Sequence, residues 1–309
     1  MILSVSRRTD IPAFYSKWFI NRIHEGFVDV RNPMNIHQIS RVNIKPDVVD
    51  CIVFWTKNAK PLMNKLEELK DYKYYFQYTI NPYDALIERN VPRKNIIIDN
   101  FKELSDKIGP NRMVWRYDPI LITNTIYLDY HIKYFEELAK RLSGFTNRCV
   151  ISFIDLYKKT IRNTQSLNIC EPTIEEMHRF ARMMTEIADQ HNIKIVSCSE
   201  KENLEAEGVE HGCCIDRKLI EEIIGYEINV RKDKNQREEC GCVQSIDIGA
   251  YNTCKHSCKY CYANFNPEKV DIQSKLHNPD SSLLIGDVLP DDKIRNRDVK
   301  SLKRHDLFG

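Results

Sequence analysis

TIEEMHRFARMMTEIADQHNIKIVSCSE, residues 173–200, decides the fold class. Thr173 and Glu176 stand at capping-box spacing, which starts a helix. Ile174, Met177, Ala181, Met184 and Ala188 then recur at helical spacing and predict a helix over Thr173–Gln190. Ile193–Cys198 follows at once, short and rich in β-branched residues, and predicts a strand.

The same alternation runs outward in both directions. Ile2–Ser6, Cys51–Trp55, Tyr74–Thr79, Met113–Tyr117, Cys149–Ile154 and Val243–Gly249 read as further strands. Ala13–His24, Leu62–Leu69 and Leu128–Leu142 read as helices between them. Alternating strands and helices predict a parallel sheet with helices outside it. A complete or partial TIM-like (β/α) barrel is expected, with an open doubly wound sheet as the alternative. Residues 1–228 are expected to form the α/β core. The cysteine-rich segment 229–269 adds a last strand and a cluster loop to the same domain. Residues 270–309, polar and proline-punctuated, read as an irregular wrap with a frayed charged terminus.

The 309 residues are 42% apolar and 29% charged, with a formal net charge of +2. That excludes a disordered chain and argues against a protein that coats nucleic acid through bulk charge, although a local basic patch stays open. No apolar run approaches the ~20 residues that span a bilayer. MILSVSRRTDIP lacks the pattern of a secretory leader, because Arg7 and Arg8 stand where a cleavage region belongs. A cytoplasmic protein is expected, with reduced thiols, so its 11 cysteines call for a reason other than disulfides.

Polar residues gather just after the strands: Ser6–Asp10, Trp55–Asn58, Arg116–Asp118, Asp155 and Cys198–Glu200. In parallel α/β folds the ligand site lies at the carboxyl ends of the strands, so these groups are expected to converge on one face. Arg116 and Asp118 are two apart in a strand and share a face. They are candidate catalytic groups together with Arg8 and Asp10; a structural ion pair is the alternative reading. Arg7 and Arg8 can grip a phosphate or carboxylate with planar forks. Trp55 and Trp115 can stack on a base or simply pack in the core.

Cys254-Lys-His-Ser-Cys258-Lys-Tyr-Cys261 spaces three thiols by three residues, then two. Three thiolates on a short loop can hold three corners of a [4Fe–4S] cube and leave one iron open. A closed zinc site completed by His256 or another cysteine is the competitor. Cys198, Cys214, Cys240 and Cys242, with Cys213 as a substitute for Cys214, are candidates for a second site holding a second [4Fe–4S] cluster or zinc. Cys51, Cys149 and Cys170 read as structural.

CKHSCKYCYAN, residues 254–264, resembles the radical S-adenosylmethionine (SAM) signature, with Tyr260 as the aromatic before the third cysteine; Tyr262-Ala263 makes it similar to the spore photoproduct lyase branch. The wider chain resembles domain-of-unknown-function family 1848 in SRRTDIPAFYSKWF (6–19), VFWTKNAKP (53–61), YYFQYT (74–79), WRYDPIL (115–121), ISFIDLYKK (151–159), CSE (198–200), CCID (213–216), QREECGC (236–242) and DIGAYNTCKHSCKYCYAN (247–264).

The resemblance implies a radical SAM-type enzyme that generates a 5′-deoxyadenosyl radical. It implies a cluster on Cys254, Cys258 and Cys261 and a flavodoxin or ferredoxin-type electron donor, with a small-molecule or nucleotide substrate and nucleic acid left open. In that superfamily the cluster loop follows the first barrel strand, so a circular permutation is expected. The usual GGE segment is absent here. Lys57 and Asn58, with Arg116 and Asp118, are then the groups to hold an amino-acid moiety, beside Tyr260. The alternatives are a non-radical zinc or iron–sulfur protein acting in nucleic-acid binding or electron transfer, and a phosphate-ester enzyme using Arg7, Arg8, Asp10 and Asp118.

Overall fold

Period-two alternation sorts each strand into two faces, and the two faces meet different partners. The computed structural model describes residues 1–156 and 158–304. Its strands are β1 (Ile2–Val5), β2 (Phe27–Asn32), β3 (Asn35–Asn43), β4 (Cys51–Thr56), β5 (Tyr74–Thr79), β6 (Met113–Ile120), β7 (Arg148–Phe153), β8 (Lys194–Cys198), β9 (Glu210–Gly212), β10 (Ile246–Asp247) and β11 (Lys293–Asn296). The helices are α1 (Ile11–Phe14), α2 (Ser16–Glu25), α3 (Lys60–Met63), α4 (Lys94–Ile108), α5 (Leu128–Leu142), α6 (Lys158–Thr164), α7 (Ile174–Asp189), α8 (Arg217–Ile224) and α9 (Pro267–Lys275).

Eight strands form one parallel sheet in the order β10-β1-β4-β5-β6-β7-β8-β9. From β1 to β9 the order never reverses, unlike that of a doubly wound sheet. The sheet does not close, so the complete barrel is not found: β9 and β10 are its two edges.

On one face Leu3, Val5, Phe54, Phe76, Trp115 and Ile151 pack against Trp18, Phe19, Phe101, Phe135 and Met184 of the helices. The opposite face carries Ile2, Val53, Tyr75, Val114, Val150 and Val196, covered by Leu219, Ile220 and Ile224 of α8. Farther along that second face, towards the strands' carboxyl ends, stand Trp55, Gln77, Arg116, Ser152 and Cys198. One end of this face is therefore an apolar plug and the other a polar floor.

Thr173 caps α7 with the reciprocal capping box expected from its spacing to Glu176. The Ala13–His24 helix is instead two helices that meet at Tyr15. Val243–Gly249 shrinks to Ile246–Asp247 because the flanking residues serve the loops on either side. A second sheet, β11-β3-β2, joins the tail to an antiparallel hairpin. The tail is otherwise an irregular wrap: Trp18 Nε1 donates to the Ser281 carbonyl at 2.9 Å. The charged terminus expected to fray, 305–309, lies outside the described residues.

Asp247 staples the late strand β10 to β1. Its carboxylate accepts from Ser6 Oγ at 2.6 Å, from the Arg7 amide at 2.8 Å and from Ser4 Oγ at 3.0 Å. Gly249 lets this approach happen: a Cβ there would stand 2.0 Å from Ser6 Oγ and 2.6 Å from Ser6 Cβ. Gly249→Ala is expected to destabilise the fold by about 1–3 kcal/mol, as overpacking does. Chemical denaturation measures it, and an unchanged midpoint would contradict the close contact.

Candidate metal centre

A cavity of about 780 Å³ opens over the polar floor. It is lined by Ser6–Asp10 after β1, Trp55–Lys57 of β4 and its loop, Arg116 and Asp118 of β6, Asp155 after β7, and Cys198 and Ser199 at the end of β8. The polar groups read from the loops thus do converge. Asn58 is not among the residues lining the cavity; its Oδ1 accepts from the Lys60 amide and from Asn100 of α4, both at 3.2 Å. Trp115 is likewise a core residue, stacked on Phe135 at 4.9 Å.

Cys254, Cys258 and Cys261 all line this cavity. Their loop is held from several sides. His256 Nε2 lies 2.8 Å from Asp10 Oδ2, Tyr15 Oη donates to the Thr253 carbonyl at 2.6 Å, and Asn264 Nδ2 donates to the Cys254 carbonyl at 2.8 Å. The segment before α4 grips the other side: Lys259 N donates to the Ile87 carbonyl and Asn90 N to the His256 carbonyl, both at 3.0 Å.

Burial pushes the Cys258 thiol up to about 12, and burial raises Cys254 as well. A metal binding here therefore displaces protons. Among the described residues, His37, Asp291 and Asp292 are the one set of three His, Cys, Asp or Glu donor atoms mutually within 4.8 Å; neither Cys254, Cys258 and Cys261 nor any three of Cys198, Cys214, Cys240 and Cys242 form such a set. Thiolates on one tetrahedral zinc sit about 3.8 Å apart, from Zn–S bonds of about 2.3 Å. The corners of an iron–sulfur cube place them roughly 6 Å apart. A zinc ion would therefore draw its thiolates closer together than a cube would.

Glu88 is a site residue the sequence reading missed. It is buried beneath the loop, between Lys57 Nζ at 2.8 Å and the Lys94 ammonium, and it accepts from the Tyr260 hydroxyl. Burial opposes its ionisation, but the two ammonium groups outweigh that and hold its pKa at about 2. Lys57, expected on a cofactor, spends its charge on Glu88 and lies 5.4 Å from the centre of the Tyr260 ring. Tyr260 itself lines the cavity wall.

The candidate catalytic groups are also tied to protein partners. Asp10 accepts from Ala13 N, Thr56 Oγ1 and Lys57 N at 2.7–2.9 Å in addition to His256, so its oxygens are filled from within. Arg8 reaches the Gly249 carbonyl at 3.4 Å and lies over Tyr251. Arg116 pairs with Asp118, which also accepts from Ser152 Oγ. These contacts make Asp10 and Arg8 braces of the cluster strand and leave the Arg116–Asp118 pair facing the cavity.

Cys198, Cys214, Cys240 and Cys242 line the same cavity. Cys198 Sγ and Cys214 Sγ are 2.9 Å apart, and the Ile215 amide donates to Cys242 Sγ at 3.3 Å. Tyr75 Oη and Gln77 Nε2 both donate to the Cys214 carbonyl, at 2.7 and 2.8 Å, and so dock this loop on β5. Arg116 Nη1 donates to Cys214 Sγ at 2.5 Å. The neighbouring thiols of Cys198 and Cys242, with Arg116, hold Cys214 well below its ordinary pKa. Cys213 points elsewhere, to the Ile215 carbonyl at 3.5 Å, and does not line the cavity, so Cys214 takes the place the two shared in the sequence.

A family described as a domain of unknown function, DUF1848, matches residues 2–263. The chain belongs to that family. The family's span takes in every strand of the large sheet and both cysteine groups, and it ends two residues past Cys261. Neither the curated proteins nor the solved structures contain a match to the chain. No described helix is long and apolar enough to cross a membrane.

Glu200, just after β8, accepts from Phe153 N at 2.7 Å. Burial, with Asp155 and Asp118 nearby, raises its pKa to about 7 from an ordinary 4.5. A carboxyl raised in the fold contributes stability below its unfolded pKa and loses it as pH rises through the folded one. Glu200→Gln is therefore expected to match the native protein in Tm at pH 4.5 and exceed it increasingly up to pH 8. A constant difference across that range would contradict the assignment.

Proposed function

We propose that the chain is an iron–sulfur enzyme of the radical SAM type, its cube held by Cys254, Cys258 and Cys261. The observation that carries this reading is the placement of those three thiols on the wall of a 780 Å³ cavity at the carboxyl ends of a parallel sheet. That volume lies within the roughly 300–1,000 Å³ range of small-molecule sites. Thr9 Oγ1 and His256 Nδ1, both of residues on this wall, are buried without a partner, as groups that await a ligand are. On this reading the open sheet is a partial barrel permuted relative to radical SAM enzymes, since β10, late in the chain, takes the place before β1.

A reduced cluster with SAM bound would supply the one electron that cleaves the sulfonium, releasing methionine and a 5′-deoxyadenosyl radical. The chain's own residues orient and enclose. Asp10, through His256, fixes the middle of the loop. Glu88, held between Lys57 and Lys94, accepts from the Tyr260 hydroxyl and fixes that ring beside Cys258. Arg116 and Asp118 present one cation and one anion to the cavity for a small-molecule or nucleotide substrate. A flavodoxin or ferredoxin-type donor would reduce the cluster, in the cytoplasm.

Anaerobic reconstitution followed by EPR tests the reading. A cubane signal after reduction that changes shape when SAM is added, and is lost in Cys258→Ala, is expected. Stoichiometric zinc without iron at the loop would overturn it in favour of a non-radical metal protein.

A further inference from the structure

We propose that Cys198, Cys214, Cys240 and Cys242 hold a second, four-thiolate metal centre, with Arg7 and Arg116 as its counter-cations. These ligands are distinct from those of the cluster loop and need no radical chemistry.

The four cysteines come from separate parts of the chain: the end of β8, the loop before α8, and a Cys-Gly-Cys turn more than twenty positions farther on. The fold nevertheless brings all four to the wall of one cavity, with exposures of 8, 4, 5 and 2%. Thiols that merely fill a core meet apolar neighbours. These meet cations. Arg116 Nη1 is 2.5 Å from Cys214 Sγ. Arg7 and Arg116 lie over the Trp55 ring at 5.5 and 5.1 Å.

Two guanidinium groups gathered beside neutral thiols would be poorly compensated. Arg116 has Asp118, but Arg7 Nη2 is buried with no partner at all. Four thiolates around one divalent ion, or around an oxidised cube, carry a net charge of about −2. That charge supplies what the two arginines lack. Local geometry is built for it as well. Tyr75 and Gln77 pin the Cys214 carbonyl. A Cβ at Gly241 would stand 3.3 Å from Cys213 Cβ, so glycine between the two cysteines lets the turn close over the 213–214 loop.

The ligand is a thiophilic metal, either one zinc ion or one [4Fe–4S] cube, and metal and sulfide counts distinguish them. The test uses the full chain carrying Cys254→Ala, Cys258→Ala and Cys261→Ala together, purified anaerobically. Retention of one zinc, or of four irons with four acid-labile sulfides, is expected per chain. Adding Cys198→Ala and Cys242→Ala should reduce that to none. On the otherwise native chain, Cys198→Ala with Cys242→Ala should remove one centre and leave the EPR signal of the loop cluster. This arm stands even if the triple variant fails to fold. A triple variant that folds, by circular dichroism, yet carries no metal would overturn the proposal. So would a Cys198–Cys214 disulfide mapped in the anaerobic native protein. A chain that lost the loop signal but kept the second centre would instead sink the reading of the loop alone.

Discussion

A single buried carboxylate joins the parts of the molecule that the candidate site needs. Asp10, only 5% exposed, accepts hydrogen bonds from the first turn of α1, from Thr56 and Lys57 after β4, and from His256 in the middle of the cysteine loop. The farthest of these partners, His256, lies 246 positions from Asp10 in the chain. A charge held so far from water persists only where donors surround it, and each such hydrogen bond contributes about 1.5–3 kcal/mol. Asp10 therefore fixes where the late loop stands relative to the early strands. Asp247 does the same for the strand that leads into the loop.

The two cysteine groups share one cavity but differ in their surroundings. The loop thiols sit over Lys57, which shares the Glu88 carboxylate with Lys94, and beside two buried atoms without a hydrogen-bond partner, Thr9 Oγ1 and His256 Nδ1. The second group sits against Arg116 and Arg7, a surplus of positive charge. Trp55, Arg116 and Asp118 line the same cavity as both groups.

Much of this was legible in the residues. Tyr74–Thr79 and Leu128–Leu142 have the bounds read from their patterns, because each is uniform in period and cleanly flanked. The polar ends of β4, β6 and β8 also pointed to the cavity, since a parallel sheet puts strand ends together. Helix α4 was missed because Ile96-Ile97-Ile98 looks like strand composition, while its buried positions Ile97, Phe101, Leu104 and Ile108 show the helical period only across the whole segment. The β2–β3 hairpin escaped because its turn end is polar and exposed around Pro33 and Met34, with Val28, Ile39 and Val42 buried at its base. Glu88 lay in no motif: its partner across the bridge, Cys258, is far away in sequence, and only the fold sets a carboxylate beneath the loop. Asn58 stands next to the site in sequence, but its side chain accepts from Asn100 of α4.

The most direct test is anomalous diffraction at the iron edge on crystals of anaerobically reconstituted protein. The account predicts an iron cluster on the cavity wall bonded to Cys254, Cys258 and Cys261, with one iron bearing no side-chain ligand and His256 still on Asp10. Iron bound anywhere else, or a loop whose fourth position is closed by a protein side chain, would contradict it.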